Sequence, residues 1–494
     1  MNEPARGSQA EGTRQDSGSN KLSCRRLFER LRAAQLFVRS RFLDNPRAKW
    51  ARRAIWAAFI AWAGFLAWQS IPYYTYIGQG KRAYQQGRYG EAEQKFRAAL
   101  KQAEHFGERD PRYANALNNL AELYRTQARY AEAEPIYNHL VTTADSLRKN
   151  PGALRFTPNY LMALPMSLNN LAALYRDQGR YAEAEPLYQR ALETWDNEVK
   201  RPEDPNVAAL LSGLAKLYRD EGKYRQAEPL YKEALEIRIK ALGAEHPDVA
   251  VLMDNLGGLY RDMGRYKESE FYYKGALAMD KKMLGTEHPD TATDLNNLAG
   301  LYRDQGRYAE AEPLYRQALA IRKQVLSPQH PHVAKSLQGL AELKSAQGDY
   351  RQAEKLLDEA MSIRLKTLGN EHPDVASTFD SLAAVYLSQK QYSRAGPVLA
   401  RALAVRRKKL GPAHPDVALT TMKQADLLRA TGHYKEAEQL FNQAQAALEK
   451  ALGPDHPSVA ANLSLMSRLY TELGDPQQAD KLQKRAAAIR STIR

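Results

Sequence analysis

Leu295-Asn296-Asn297-Leu298-Ala299, Tyr302-Arg303-Asp304-Gln305-Gly306-Arg307-Tyr308 and Glu312-Pro313-Leu314-Tyr315 belong to one block that recurs along most of the 494-residue chain. His-Pro pairs at His246, His288, His330, His372, His414 and His456 set its period at 42 residues. A fixed period of this size marks stacked helical units that share one continuous core, so chain length gives no domain count here. In the copy from Leu168 to Tyr188, the residues Leu168, Leu171, Ala172, Leu174 and Tyr175 have helical spacing and form one apolar face. Gly179, free to turn left-handed, ends that helix. A second helix starts near Tyr181, with Ala184, Leu187, Tyr188, Ala191 and Leu192 turned inward. Pro186 lies early in it, where few hydrogen bonds are lost. Each unit is a helical hairpin that buries its faces only when neighbours stack on it.

Counting by the position of Tyr175 gives Ala83, Tyr124, Tyr175, Tyr218, Tyr260, Tyr302, Lys344, Tyr386, Leu428 and Tyr470, or ten units, the first degenerate. The step from Tyr124 to Tyr175 is 51 residues, so an insertion falls in Lys149–Pro165, where Pro151, Gly152, Pro158 and Pro165 predict a loop.

The pairing of Leu171-Ala172 with Tyr175, followed by Gly179, Tyr181 and Ala184, resembles the tetratricopeptide repeat. The 42-residue period and the string Leu242-Gly243-Ala244-Glu245-His246-Pro247-Asp248-Val249-Ala250 resemble, more narrowly, the repeats of kinesin light chains. The resemblance covers residues 78–494 and implies an all-α, right-handed superhelix of hairpins. It does not make the chain a kinesin light chain. Those proteins carry an N-terminal heptad segment that binds the motor, and here an apolar run stands in its place. An anchored member of the large bacterial families with such repeats fits better.

That run extends from Ala54 to Trp68 without a charged residue and reaches 18 residues with Gln69, Ser70 and Ile71. Its length approaches the ~20 residues that cross a bilayer core. Trp56, Trp68, Tyr73, Tyr74 and Tyr76 stand where an interfacial aromatic belt belongs. The expected organisation is a polar, disordered tail at 1–20, a basic segment at 21–53, a transmembrane helix at 54–72 and the solenoid at 73–494. Arg39, Arg41, Arg47, Lys49, Arg52 and Arg53 precede the span, and only Lys81, Arg82 and Arg88 follow it closely. The positive-inside rule then puts the N-terminus in the cytoplasm and the repeats across the membrane, in the periplasm of a bacterium. The span lies too deep in the chain for a cleaved signal peptide and reads as a signal anchor. Within 22–43, Leu27, Phe28, Leu31, Ala34 and Val38 can share a helix face suited to an anionic leaflet, or the segment is a solvated basic tail.

The net charge of +15 is uneven: residues 1–53 hold 13 Lys/Arg against 5 acids, or +8, leaving +7 for the rest. A mild excess spread over a long solenoid does not point to nucleic acid. Cys24 is the only cysteine, so no intrachain disulfide can form.

On the first helix of each unit, the face opposite the core carries Asn169, Asn170, Arg176 and Asp177, and in tetratricopeptide-like folds this helix lines the concave groove. The stripe recurs as Asn118, Asn119 and Arg125, as Asp254, Asn255, Arg261 and Asp262, and as Asn296, Asn297, Arg303 and Asp304, with a thinner version at Arg219 and Asp220. Asn amides can pair with the backbone of an extended peptide, and Arg with carboxylates. The expected ligand is a partner-protein segment carrying acidic residues or a free C-terminus. The alternative at the level of residues is that Asn170 bonds the neighbouring hairpin and Arg176 pairs with Asp177. The stripe fades toward the C-terminus: either the groove is confined to roughly residues 112–320, or those units serve a second partner or homo-oligomerisation.

One His-Pro per repeat cannot converge on a metal. Pro247 and Asp248 suit the first turn of a helix, so these pairs read as start signals. No phosphate loop, nucleophile elbow, His-Glu-x-x-His or paired-Cys motif is present, and the expectation is no enzyme and no cofactor. The function expected is a membrane-anchored interaction scaffold; the alternative is an adaptor facing the cytoplasm that recruits partners to the membrane.

Overall fold

The computed structural model describes residues 56–58, 70–108, 110–149 and 162–493. Two compact units are distinguished, Met1–Tyr74 and Thr75–Arg494. The expected tail at 1–20, the basic segment at 21–53, Cys24 and, of the expected span at 54–72, residues 54–55 and 59–69 lie outside the described residues. Among the described residues no helix is long and apolar enough to cross a membrane.

The second unit is all helical among its described residues. Hairpin 1 joins the helical stretch 75–85 to Tyr89–Glu104, and nine more hairpins follow, ending with Pro457–Glu472 and Pro476–Ile493. The ten expected units are therefore all present. From hairpin 3 onward each first helix packs most extensively on its own second helix, then on the second helix of the preceding hairpin. Neighbouring first helices approach one another more closely than second helices do, which puts them on the concave side. Leu168, Leu171, Ala172, Leu174 and Tyr175 are all buried, as are Ala184, Tyr188 and Ala191; Leu187 and Leu192 are half-buried. Gly179 turns left-handed at φ 69°. One expectation is corrected. Pro165 belongs to no loop, because the helix Ala163–Asp177 already begins two residues before it, and a proline in a first turn forfeits no helical bond.

Hairpin 3 holds one residue more than its successors: seventeen positions separate Tyr188 from Pro205, sixteen separate Tyr231 from Pro247. The π-helix Trp195–Val199 absorbs the extra residue. Lys200 closes it in the left-handed region, and Trp195 Nε1 donates to the Arg201 carbonyl at 3.1 Å.

The repeated Tyr, Arg and Glu form a second, outer device. Tyr302 donates to Glu270 of the preceding hairpin at 3.0 Å, and Arg307, 3.9 Å over the Tyr302 ring, bonds the same carboxylate at 2.8 Å. The same trio recurs as Glu93–Tyr124–Arg129, Glu134–Tyr175–Arg180, Glu228–Tyr260–Arg265 and Glu354–Tyr386–Arg394. Where Lys344 replaces Tyr, it bonds Glu312 directly at 2.7 Å. Burial opposes ionisation of Glu270, yet hydrogen bonds from Lys274, Arg307 and Tyr302 outweigh it and hold the carboxylate at about 2. Because that value is below the unfolded one, the trio stabilises the fold above pH ~4.3 and is lost as pH falls toward 2. Glu270→Gln is expected to lower stability by about 1 kcal/mol at pH 7, with no difference from wild type near pH 2 in denaturant titrations.

The His-Pro pairs start the helices by direct capping. In hairpins 5 to 10 the histidine Nδ1 accepts the backbone N–H two residues on, at 3.0–3.2 Å. Asp110 and Asp204 do the same with a carboxylate in hairpins 2 and 4.

Candidate functional site: the concave groove

Two ladders of side chains run along the first helices. In the first, each arginine reaches an acid on the next hairpin: Arg125 to Asp177 at 2.5 Å, Arg176 to Asp220 at 3.5 Å, Arg219 to Asp262 at 2.6 Å and Arg261 to Asp304 at 2.5 Å. Arg303 continues it to Glu342 and also pairs with Asp304 at 3.1 Å, as Arg176 does with Asp177 at 2.7 Å. Burial works against the Arg125 charge, but Asp177 and Glu122 more than offset it and keep the guanidinium ionised. The five arginines expected to meet a ligand are thus committed largely to the solenoid's own acids.

The second ladder joins an amide or acid of one hairpin to a side chain of the next. Asn170 donates to Asn118 at 2.6 Å, Asn297 to Asp254 at 2.8 Å, Gln338 to Ser381 at 2.9 Å, and Lys423 pairs with Asp380 at 3.0 Å. Asn119 turns back to the Asn115 carbonyl of its own helix at 2.7 Å. The ladder breaks where the facing residue is too small. Gly213 stands opposite Asn169 and Gly339 follows Asn296, and both amide oxygens are buried without a partner. A Cβ on Gly213 would lie 2.8 Å from Asn169 Oδ1. Asn255, facing Ser212 across the same register, is left with a buried, unpartnered Nδ2.

The broken rungs coincide with cavities. One of about 310 Å³ is lined by Asn169, Gly213, Asn255, Lys216, Arg176 and Arg238. A second of about 610 Å³ is lined by Asn296, Gly339, Arg303, His332, Lys335 and Arg364. The Tyr188 hydroxyl, also unpartnered, opens on the first. Lys216 and Lys335 have no ion pair among the described residues. Burial lowers the pKa of both, with nearby arginines adding to it, although water reaches Lys335: the groove walls crowd an ammonium that remains accessible. Both were missed from sequence, because each occupies a column that other repeats fill with unrelated residues.

These features define a class: an all-α hairpin solenoid that displays its polar chemistry on a concave inner face. The tetratricopeptide repeat model matches residues 75–146, 164–240, 207–282, 248–324, 290–366, 333–408, 374–450 and 416–492. The chain belongs to the tetratricopeptide repeat family, whose fold is typical of protein–protein interaction scaffolds. Among solved structures it is similar to the BtubC (BKLC) protein of P. vanneervenii, at 27% identity over 47% of this chain and 92% of that one, TM-score 0.39. A putative kinesin light chain from Podosopora anserina, with nearly identical TPR-like repeats, matches at 30% identity over 42% and 98%, TM-score 0.35. A Rap protein complexed with competence and sporulation factor is similar in fold, with 13% identity over 77% and 98% and a TM-score of 0.51.

Proposed function

We propose that the chain is a membrane-anchored scaffold that holds an extended, acidic or C-terminal segment of a partner protein in its concave groove. The observation that carries this reading is the coincidence of broken ladder rungs with unpaired lysines in both cavities. Asn169, Asn255 and Asn296 offer amide groups that an extended backbone can satisfy, and a buried polar group without a partner costs roughly 1–3 kcal/mol until something does so. Lys216 and Lys335 supply the cationic contacts that the ladder arginines have already committed elsewhere. What supports the anchor is the uncharged run from Ala54 to Trp68 with basic residues before it, and the orientation proposed from the positive-inside rule is the N-terminus in the cytoplasm and the repeats beyond the membrane. The alternative, an adaptor facing the cytoplasm, is separated from this by topology reporters fused to the C-terminus. No catalytic activity is assigned.

The test is selection of a displayed random-peptide library on the full-length chain, followed by fluorescence-polarisation titration of the enriched sequences. Enrichment of Asp, Glu or C-terminal peptides is expected. Lys216→Gln with Lys335→Gln should weaken them about tenfold or more, close to the 1.4 kcal/mol that a factor of ten represents. Peptides without acidic bias, or equal affinity for wild type and variant, would remove the groove reading.

A further inference from the structure

The groove is closed from the side by a contact that the repeat period does not announce. The ring of His372, the cap of hairpin 8, uses its Nε2 on the Thr126 carbonyl of hairpin 2 at 3.1 Å, 246 residues away. His330 of hairpin 7 reaches the backbone of Gln85, His414 of hairpin 9 that of Asp177, and His456 of hairpin 10 that of Asp220. The cap of hairpin n+6 thus sits on the turn of hairpin n, four times in succession, so one superhelical turn takes six hairpins. The turn glycines agree: a Cβ on Gly87, Gly179 or Gly222 would meet His330, His414 or His456 at 2.4–2.9 Å. The same position at Gly264, Gly306, Gly348, Gly432 and Gly474 has nothing within 4 Å. Tyr181, beside the turn of hairpin 3, packs against the core cluster of hairpins 9 and 10 that includes Ala418 and Leu448.

The chemistry of the joint is specific. Nδ1 accepts the helix N–H, so Nε2 carries the proton and donates across the seam. Each histidine contributes a single hydrogen bond and a ring edge on a turn, with Tyr181 adding one side chain at hairpin 3, whereas stacking along the solenoid buries whole helix faces. Releasing the seam therefore unfolds no hairpin.

We propose that these four contacts form a clasp that holds successive superhelical turns together and opens as a unit, widening the groove laterally without loss of helix. The clasp stands independently of what the groove holds.

His330→Asn, His372→Asn, His414→Asn and His456→Asn combined tests it. Asn keeps the helix cap but is too short to cross the seam. Spin labels at Glu233→Cys in hairpin 4 and Lys481→Cys in hairpin 10, in the full-length chain carrying Cys24→Ser, report the separation by pulsed electron resonance. A longer and broader distance distribution is expected, with an unchanged far-ultraviolet circular dichroism spectrum. His246→Asn with His288→Asn, caps that face no earlier turn among the described residues, should leave it alone. A second comparison holds even if the histidine variant misfolds: Gly87→Ala, Gly179→Ala and Gly222→Ala against Gly264→Ala, Gly306→Ala and Gly348→Ala. Both sets strain a left-handed residue equally, and only the first obstructs the seam. An unchanged distance in the folded histidine variant, or equal behaviour of the two glycine sets, would overturn the clasp.

Discussion

Trp195→Ala is expected to lower the stability of hairpins 2 to 4 by about 3–5 kcal/mol, the usual cost of removing a fully buried aromatic side chain. Trp195 is 0% exposed and heads the π-helix that absorbs the extra residue of hairpin 3. Its Nε1 also holds the Arg201 carbonyl and so fixes the turn that leads into Pro205. Truncation removes both the filling of the wedge and the tie across the turn. Stability in a solenoid is close to a sum of hairpins and nearest-neighbour interfaces, so the loss should stay local. Hydrogen exchange should speed up in Ala163–Val199 and in the flanking hairpins, while Pro289–Val325 keeps its protection. Uniform acceleration along the whole chain would mean that the ten hairpins unfold as one unit and that local coupling does not govern this protein.

Asp294→Asn is expected to raise stability at pH 8 by about 1–3 kcal/mol, the range for an unsatisfied buried polar group, and to leave it nearly unchanged at pH ~4, where the carboxyl is protonated in the folded chain and only beginning to ionise in the unfolded one. Asp280 and Asp294 face one another, both almost fully buried, between hairpins 5 and 6. They occupy the columns that hold Arg322 with Ser336, Arg364 with Thr378 and Arg406 with Thr420 in the following repeats, where the arginine Nη1 bonds the hydroxyl. Burial raises both carboxyls, and neighbouring Asp254 and Asp290 push the same way. The pair therefore shares a proton at neutral pH. A carboxyl raised in the native state binds more protons than in the unfolded chain, so its contribution is intact at low pH and is lost as pH rises. Asn keeps the shape, supplies an N–H to Asp280 and removes one titrating group. Melting temperatures from pH 5 to 9 decide it: a wild-type profile that falls no faster than that of the variant would show that the pair does not share a proton.

The groove residues divide according to what a sequence can carry. Asn118, Asn170 and Asn297 were legible as a polar stripe, because helical spacing alone places them opposite Leu171 and Tyr175. That the arginine row is taken up by Asp177, Asp220, Asp262 and Asp304 was not. Whether Arg176 points to a ligand or to the next hairpin depends on the offset between stacked units, a distance that no periodicity contains. Lys216 and Lys335 were invisible for the same reason: a lysine becomes unusual only when the walls around it are known.

The residue pattern alone specifies the hairpins, their number, their order and the faces they bury. Helical spacing, turn glycines and His-Pro or Asp-Pro starts act over a few residues and recur from hairpin to hairpin. Which side chains remain free in the groove, and that hairpin 7 returns to sit on hairpin 1, emerge only from the stacking of the hairpins in three dimensions. Both follow from the small rotation between one hairpin and the next. Summed over six units, that rotation brings His330 onto Gly87 and makes a contact between residues that share no local pattern.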